Sequence, residues 1–252
     1  MTTSNVSQLI ALTDSRGRGL RAYLDRNLQN YDTTIKLLPG RTLQQIARVA
    51  NNILPNYFDT NYYCVIHAGI CSLTIRTAIG HPTSLRYPLI DREDKVREVI
   101  ETITDLKETY KNRINICTIA PASLVKFFHT RHPGVPLPRG LDEEQLALTE
   151  DIHTINSVIK QLNCDWQNPN INLCARFFSH SKKRLRKSKK RAHKRVTKLK
   201  DCHLVDGIHF SDEIREVCFK LITNTAASEL VRLYRPPIPS TQESTTSDSS
   251  ED

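Results

Sequence analysis

No stretch of this sequence approaches the ~18 consecutive apolar residues of a membrane-spanning helix, and its first apolar run, Gln8 to Thr13, is too short for the core of a secretory signal. The seven cysteines, at 64, 71, 117, 164, 174, 202 and 218, form no CxxC pair, and most lie inside apolar runs. An odd number so placed argues against a disulfide framework and fits reduced thiols used as small hydrophobes. Adjacent Cys202 and His203, with His209 beyond, lack the ligand spacing of structural zinc, so no metal or other cofactor is expected. These absences lead us to expect a soluble, intracellular protein, cytoplasmic or nuclear. No internal repeat is visible.

Acidic residues are missing from one place. The net charge of +9 hides a segment, 182 to 200, with 12 basic residues and no acid, while the remainder carries 24 basic residues against 27 acidic. Lys182, Lys183, Arg184, Arg186, Lys187, Lys189, Lys190, Arg191, Lys194 and Arg195 form its centre. Leu185, Ala192 and Leu199 recur at seven-residue spacing, which predicts a basic helical segment over 181–200 with one narrow stripe against the body. Three readings stay open: a solvated helix without a partner, contact with nucleic acid phosphates, or recognition by a nuclear import receptor. No aromatic lies in the segment, so any nucleic acid contact would be to the backbone and indifferent to sequence.

What is present otherwise is ordinary globular material: 252 residues, 38% hydrophobic and 25% charged, enough for one well-filled core. Apolar runs of strand length alternate with segments of helical period. Gln8–Thr13, Thr33–Leu38, Tyr62–Ala68, Ile114–Ala120 and Ile171–Phe178 read as strands. Helices are expected from about Gly19, over Leu43–Ile53, Asp91–Asn112 and Leu141–Leu162, and from about Ser211 to Leu233. Such alternation implies a three-layer α/β/α sandwich with about five parallel strands, spanning residues 1–234. Residues 235–252, rich in Pro, Ser, Thr and acid, read as a disordered tail.

In a parallel sheet the reactive residues sit on loops at the carboxyl ends of the strands. Thr13-Asp14-Ser15, Pro39-Gly40 and Gly69-Ile70-Cys71-Ser72 occupy three such ends, and Asp206-Gly207-Ile208-His209 places a carboxylate three residues before an imidazole. A serine with an Asp-oriented histidine is the kit of nucleophilic acyl transfer. Asp206 and His209 also suit a plain turn before the last helix, and Asp14 reads as a cap. His67, inside an apolar strand, reads as a core histidine rather than a base.

In this order the blocks resemble the SGNH/GDSL hydrolase superfamily, whose fold is flavodoxin-like. The resemblance implies Ser15 as nucleophile, Asp206 and His209 as its acid–base partners, and an oxyanion hole from the N–H groups of Ser15 and Gly40. A third donor, an Asn in that family, falls on Cys71, and Thr13 stands where the family has Gly. A thiol is a weak donor, so the sequence leaves open a weak esterase on a small ester, a hydrolase with some other donor, or an inactive scaffold. The basic segment and acidic tail further resemble the SGNH-like domains of eukaryotic mobile-element proteins.

Overall fold

The computed structural model describes residues 7–77, 84–184 and 193–234. Strand β1 (Gln8–Thr13) lies between β2 (Asp32–Leu37) and β3 (Tyr62–His67), and β6 (Ile114–Ile116) completes a four-stranded parallel sheet in the order β2-β1-β3-β6. Helix α1 (Leu20–Asn27) follows β1, and α2 (Leu43–Ile53) follows β2. The chain moves outward from β1 to β2, then back across β1 to β3, so right-handed crossovers put α1 and α2 on opposite faces. The last helix, α7 (Asp212–Tyr234), packs with α1, whereas α2 packs with α4 (Arg92–Tyr110) and α4 with α6 (Leu141–Asp165). This cover explains the composition of β3, all six residues of which are buried.

The remaining elements are short. Helix α3 (Ile70–Leu73) follows β3, a hairpin pairs β4 (Ile75–Thr77) with β5 (Ser84–Arg86), and α5 (Leu124–Arg131) follows β6. Among the described residues no helix is long and apolar enough to cross a membrane.

Two expectations need correction. The run 171–178 is buried but is not a fifth parallel strand. Thr118 N–H donates to Ile171 O at 3.1 Å, and the ladder stops there. The Thr118 hydroxyl accepts the Cys174 N–H at 3.0 Å and the Asn172 side chain accepts the Ala175 N–H at 3.3 Å, which turn the chain into a 3₁₀ turn, Cys174–Phe177. The basic segment is not helical where it is described. It contributes most of an antiparallel ribbon of β7 (Phe178–Arg184) with β8 (His193–Leu199), in a register that sets Lys182 opposite Arg195 and Lys183 opposite Lys194. At its base Phe178, opposite Leu199, packs into the core, and Lys200 N–H donates to Phe177 O at 2.7 Å. Anchoring at this pair outweighs the helix propensity of Lys and Arg. Arg186, Lys187, Lys189, Lys190 and Arg191, and the tail expected to be disordered, lie outside the described residues.

Candidate active site

The order β2-β1-β3 makes the carboxyl end of β1 the point where the chain's direction of winding reverses, the usual place for a crevice in such sheets. Asp14 follows β1 and accepts the Arg16 N–H on Oδ1 at 2.9 Å, which caps a 3₁₀ turn, Ser15–Gly17. This turn holds half-buried Ser15 above the sheet. A Cβ at Gly17 would sit 2.2 Å from Thr13 Oγ1, so the glycine at 17 makes the room that Thr13 takes.

Gly40 ends up at the same edge. Leu37 pairs with Thr13, and Leu38 N–H donates to Thr13 O at 2.7 Å, so the exposed turn of Gly40 (φ +72°) begins beside the serine turn. Among the described residues, Ser15 Oγ and the N–H groups of Ser15 and Gly40 have no hydrogen-bond partner. Cys71 sits in α3, half-buried. Burial pushes its thiol pKa up, nearby Asp14 adds to this, and Arg16 and Arg76 oppose it, so the group remains a thiol at neutral pH. Ser72 serves packing: its hydroxyl accepts the Leu43 N–H at 2.7 Å and donates to Gln44 Oε1 at 3.1 Å.

The Asp206–His209 loop is closed by a bridge between Leu204 and Phe210. Asp206 Oδ1 accepts the N–H groups of Ile208 (3.1 Å) and His209 (2.8 Å), while Oδ2 lies 2.9 Å from His209 Nδ1. Burial raises the Asp206 pKa, but the N–H groups and the imidazole outweigh it and hold the carboxyl below its ordinary range. The turn former and the imidazole-orienting carboxylate are one residue. Gly207 (φ +85°) lets this loop dock on α5, since a Cβ there would lie 2.4 Å from Ser123 O.

Ser15 and His209 line one small pocket of about 90 Å³ with Arg16, Arg18, Phe210 and Arg215. A larger cavity, about 610 Å³, opens elsewhere, between α4 and α6, where Arg92 and Asp151 are ion-paired; no serine, cysteine or histidine lines it. Among the described residues no cluster of His, Cys, Asp and Glu fits a metal ion. His67 is buried and its ring stacks on Phe210, centroids 5.7 Å apart. Burial pushes its pKa down to about 4, so it is neutral, as suits a core histidine.

No local pattern in the sequence singles out Arg16. It is only 3% exposed. Nε donates to Ile208 O at 3.0 Å, Nη2 to Pro121 O at 2.8 Å and Nη1 to Ala120 O, and Cζ lies 5.2 Å from the Phe210 ring centroid.

Compared by sequence, the chain matches no family model and no curated protein. Compared by structure, it is similar to a GDSL-like lipase from Bacteroides thetaiotaomicron (TM-score 0.55, 14% identity, 88% of each chain covered). It is also similar to a lipase/acylhydrolase from Enterococcus faecalis (TM-score 0.55, 15% identity, 87% of this chain and 94% of that one). The fold is that of the SGNH/GDSL hydrolases. An acetylxylan esterase from Geobacillus stearothermophilus shares the SGNH fold at TM-score 0.51 and 13% identity, over 91% of this chain and 96% of that one.

Proposed function

We propose that the chain is a serine hydrolase of short-chain esters, with Ser15 as nucleophile, His209 as general base and acid, and Asp206 as the group that orients His209. The observation that carries this is the 2.9 Å contact of Asp206 Oδ2 with His209 Nδ1, in a loop that lines one pocket with Ser15. The contact places the imidazole proton on Nδ1 and leaves the Nε2 lone pair to take the Ser15 proton. Attack on the ester carbonyl puts charge on its oxygen, which the unpartnered N–H groups of Ser15 and Gly40 receive. His209 then protonates the departing alcohol, and water, deprotonated by the same imidazole, releases the acid. A pocket of about 90 Å³ has room for roughly three water-sized groups, which suits an acetyl or similar acyl group. The printed activities of the structural neighbours, lipase, acylhydrolase and acetylxylan esterase, support ester cleavage. The test is turnover of 4-nitrophenyl acetate: Ser15→Ala abolishes it, and rates fall from acetyl to octanoyl. Purified chain with no Ser15-dependent turnover overturns the reading.

A second reading has its own observation. The ribbon register sets Lys182 opposite Arg195 and Lys183 opposite Lys194, where neighbouring strands elsewhere avoid like charges. Such a ribbon suits a polyanion or an import receptor, carried on an SGNH scaffold of mobile-element type that need not be active. Salt-dependent binding of a DNA duplex or single strand that is lost when Lys182, Lys183, Lys194 and Arg195 become Gln supports it. Salt-independent binding counts against it, and import without binding leaves only the targeting role.

A further inference from the structure

We propose that Arg16 is the positioning residue of this site, a guanidinium strut that holds the Asp206–His209 loop in register with Ser15 by bonding three backbone carbonyls. The role as stated rests on the hydrolase reading. Arg16 directly follows the nucleophile, and Ile208 directly precedes the base. The Nε–H···O bond between them, 3.0 Å long, therefore joins the two halves of the site one residue from each reacting group. The remaining bonds, to Ala120 and Pro121, tie both halves to the loop after β6. Phe210, the residue after the base, lies against both the guanidinium and the ring of His67 at the end of β3.

The acceptors explain why the residue is arginine. Ala120 O, Pro121 O and Ile208 O belong to no helix or strand ladder and have no other partner among the described residues, so without the guanidinium they would be left unpaired. All three bonds go to carbonyls, although Asp14 is close enough to interact with the charge. Burying a cation without a bonded carboxylate is costly, and an apolar side chain would fill the space with a smaller penalty. What the planar fork adds is fixed geometry between three loops. Lysine ends in a single ammonium and has no donor at the Nε position, so it cannot bond all three carbonyls.

The experiment compares the full chain with Arg16→Lys and Arg16→Ala in two ways. In 4-nitrophenyl acetate turnover, kcat falls about 10²-fold in both variants while KM stays within about twofold, because the nucleophile and base are misplaced but the acyl pocket remains. Millimolar guanidinium ion restores part of the kcat of Arg16→Ala and leaves Arg16→Lys unchanged. In amide hydrogen exchange, which needs no turnover, the Ile208 and His209 N–H groups exchange about tenfold faster in Arg16→Lys, with β1 and β3 unaltered. Full kcat in Arg16→Lys overturns the proposal. So does unchanged exchange at 208 and 209, or acceleration spread equally through β1 and β3, which would make Arg16 an ordinary core residue. If the wild-type chain shows no turnover but the exchange difference is present, the hydrolase reading fails and the strut stands.

Discussion

At the residue scale, the weak point of the site is Cys71. In the proposed mechanism it takes the place of a third oxyanion donor, and burial keeps it a neutral thiol. Cys71→Asn is expected to raise kcat on 4-nitrophenyl acetate by up to about 10²-fold, the usual worth of one such donor, with Ser15→Ala abolishing both rates. Asp206→Asn should cost about 10³-fold or more, because the amide no longer favours the productive tautomer. His67 makes a different prediction. Its folded pKa, about 4, lies below the ordinary 6.5, so the unfolded chain binds the proton more readily. The stability is fully present above pH 6.5 and is lost as pH falls through 4, by about 3 kcal/mol at most. Denaturant midpoints between pH 7 and 4 check this, and His67→Phe should flatten the slope while keeping the stack on Phe210. The Asp206–His209 pair was legible because it spans only three residues, whereas Ser15 entered as a candidate through the order of the blocks along the chain. Arg16 was not, since its three acceptors are more than 100 residues away in sequence.

At the element scale, the site depends on how the 206–209 loop docks on α5. Gly207 is left-handed at φ +85°, and a Cβ would meet Ser123 O at 2.4 Å and Phe127 N at 2.5 Å. Gly134 is also left-handed, at φ +80°, but has open space around its Cβ position. Gly134→Ala should therefore cost only about 1 kcal/mol of backbone strain, whereas Gly207→Ala should cost at least 2 kcal/mol and also lower kcat. Thermal melts and turnover of the two variants separate strain from displacement of His209. The long helices were legible from periodicity, and α2 matches the expected Leu43–Ile53. The run at 171–178 was misread because its apolar residues report burial, while side-chain bonds from Thr118 and Asn172 decide its backbone form. The ribbon was misread because pairing of Phe178 with Leu199 is a contact between distant residues.

At the scale of the whole molecule, two functions are proposed on two parts, joined where Phe178 at the ribbon's base packs into the core. The proposed ester site lies at the carboxyl edge of the sheet, and the described part of the basic segment lies in the ribbon. If the ribbon binds nucleic acid, affinity should fall by roughly 0.7 to 0.9 log units per log unit of salt for each phosphate contact. Changing Lys182, Lys183, Lys194 and Arg195 to Gln should remove that binding and leave melting temperature and esterase rate unchanged, which titrations at several salt concentrations and a turnover assay check together. A parallel loss of activity would show that ribbon and site are coupled.

By itself the sequence determined the alternation of strands and helices, the parallel α/β class and the Asp206–His209 turn, because hydrophobic period and short-range spacing act within a few residues of the chain. The pairing of that turn with Ser15 followed only as what the family resemblance implies. Tertiary structure decided that the parallel sheet stops at four strands, that the described basic residues form a ribbon, and that a buried arginine ties three loops together. Each of those outcomes depends on hydrogen bonds or packing between residues far apart in the chain, and no local pattern encodes which distant carbonyl a side chain will meet.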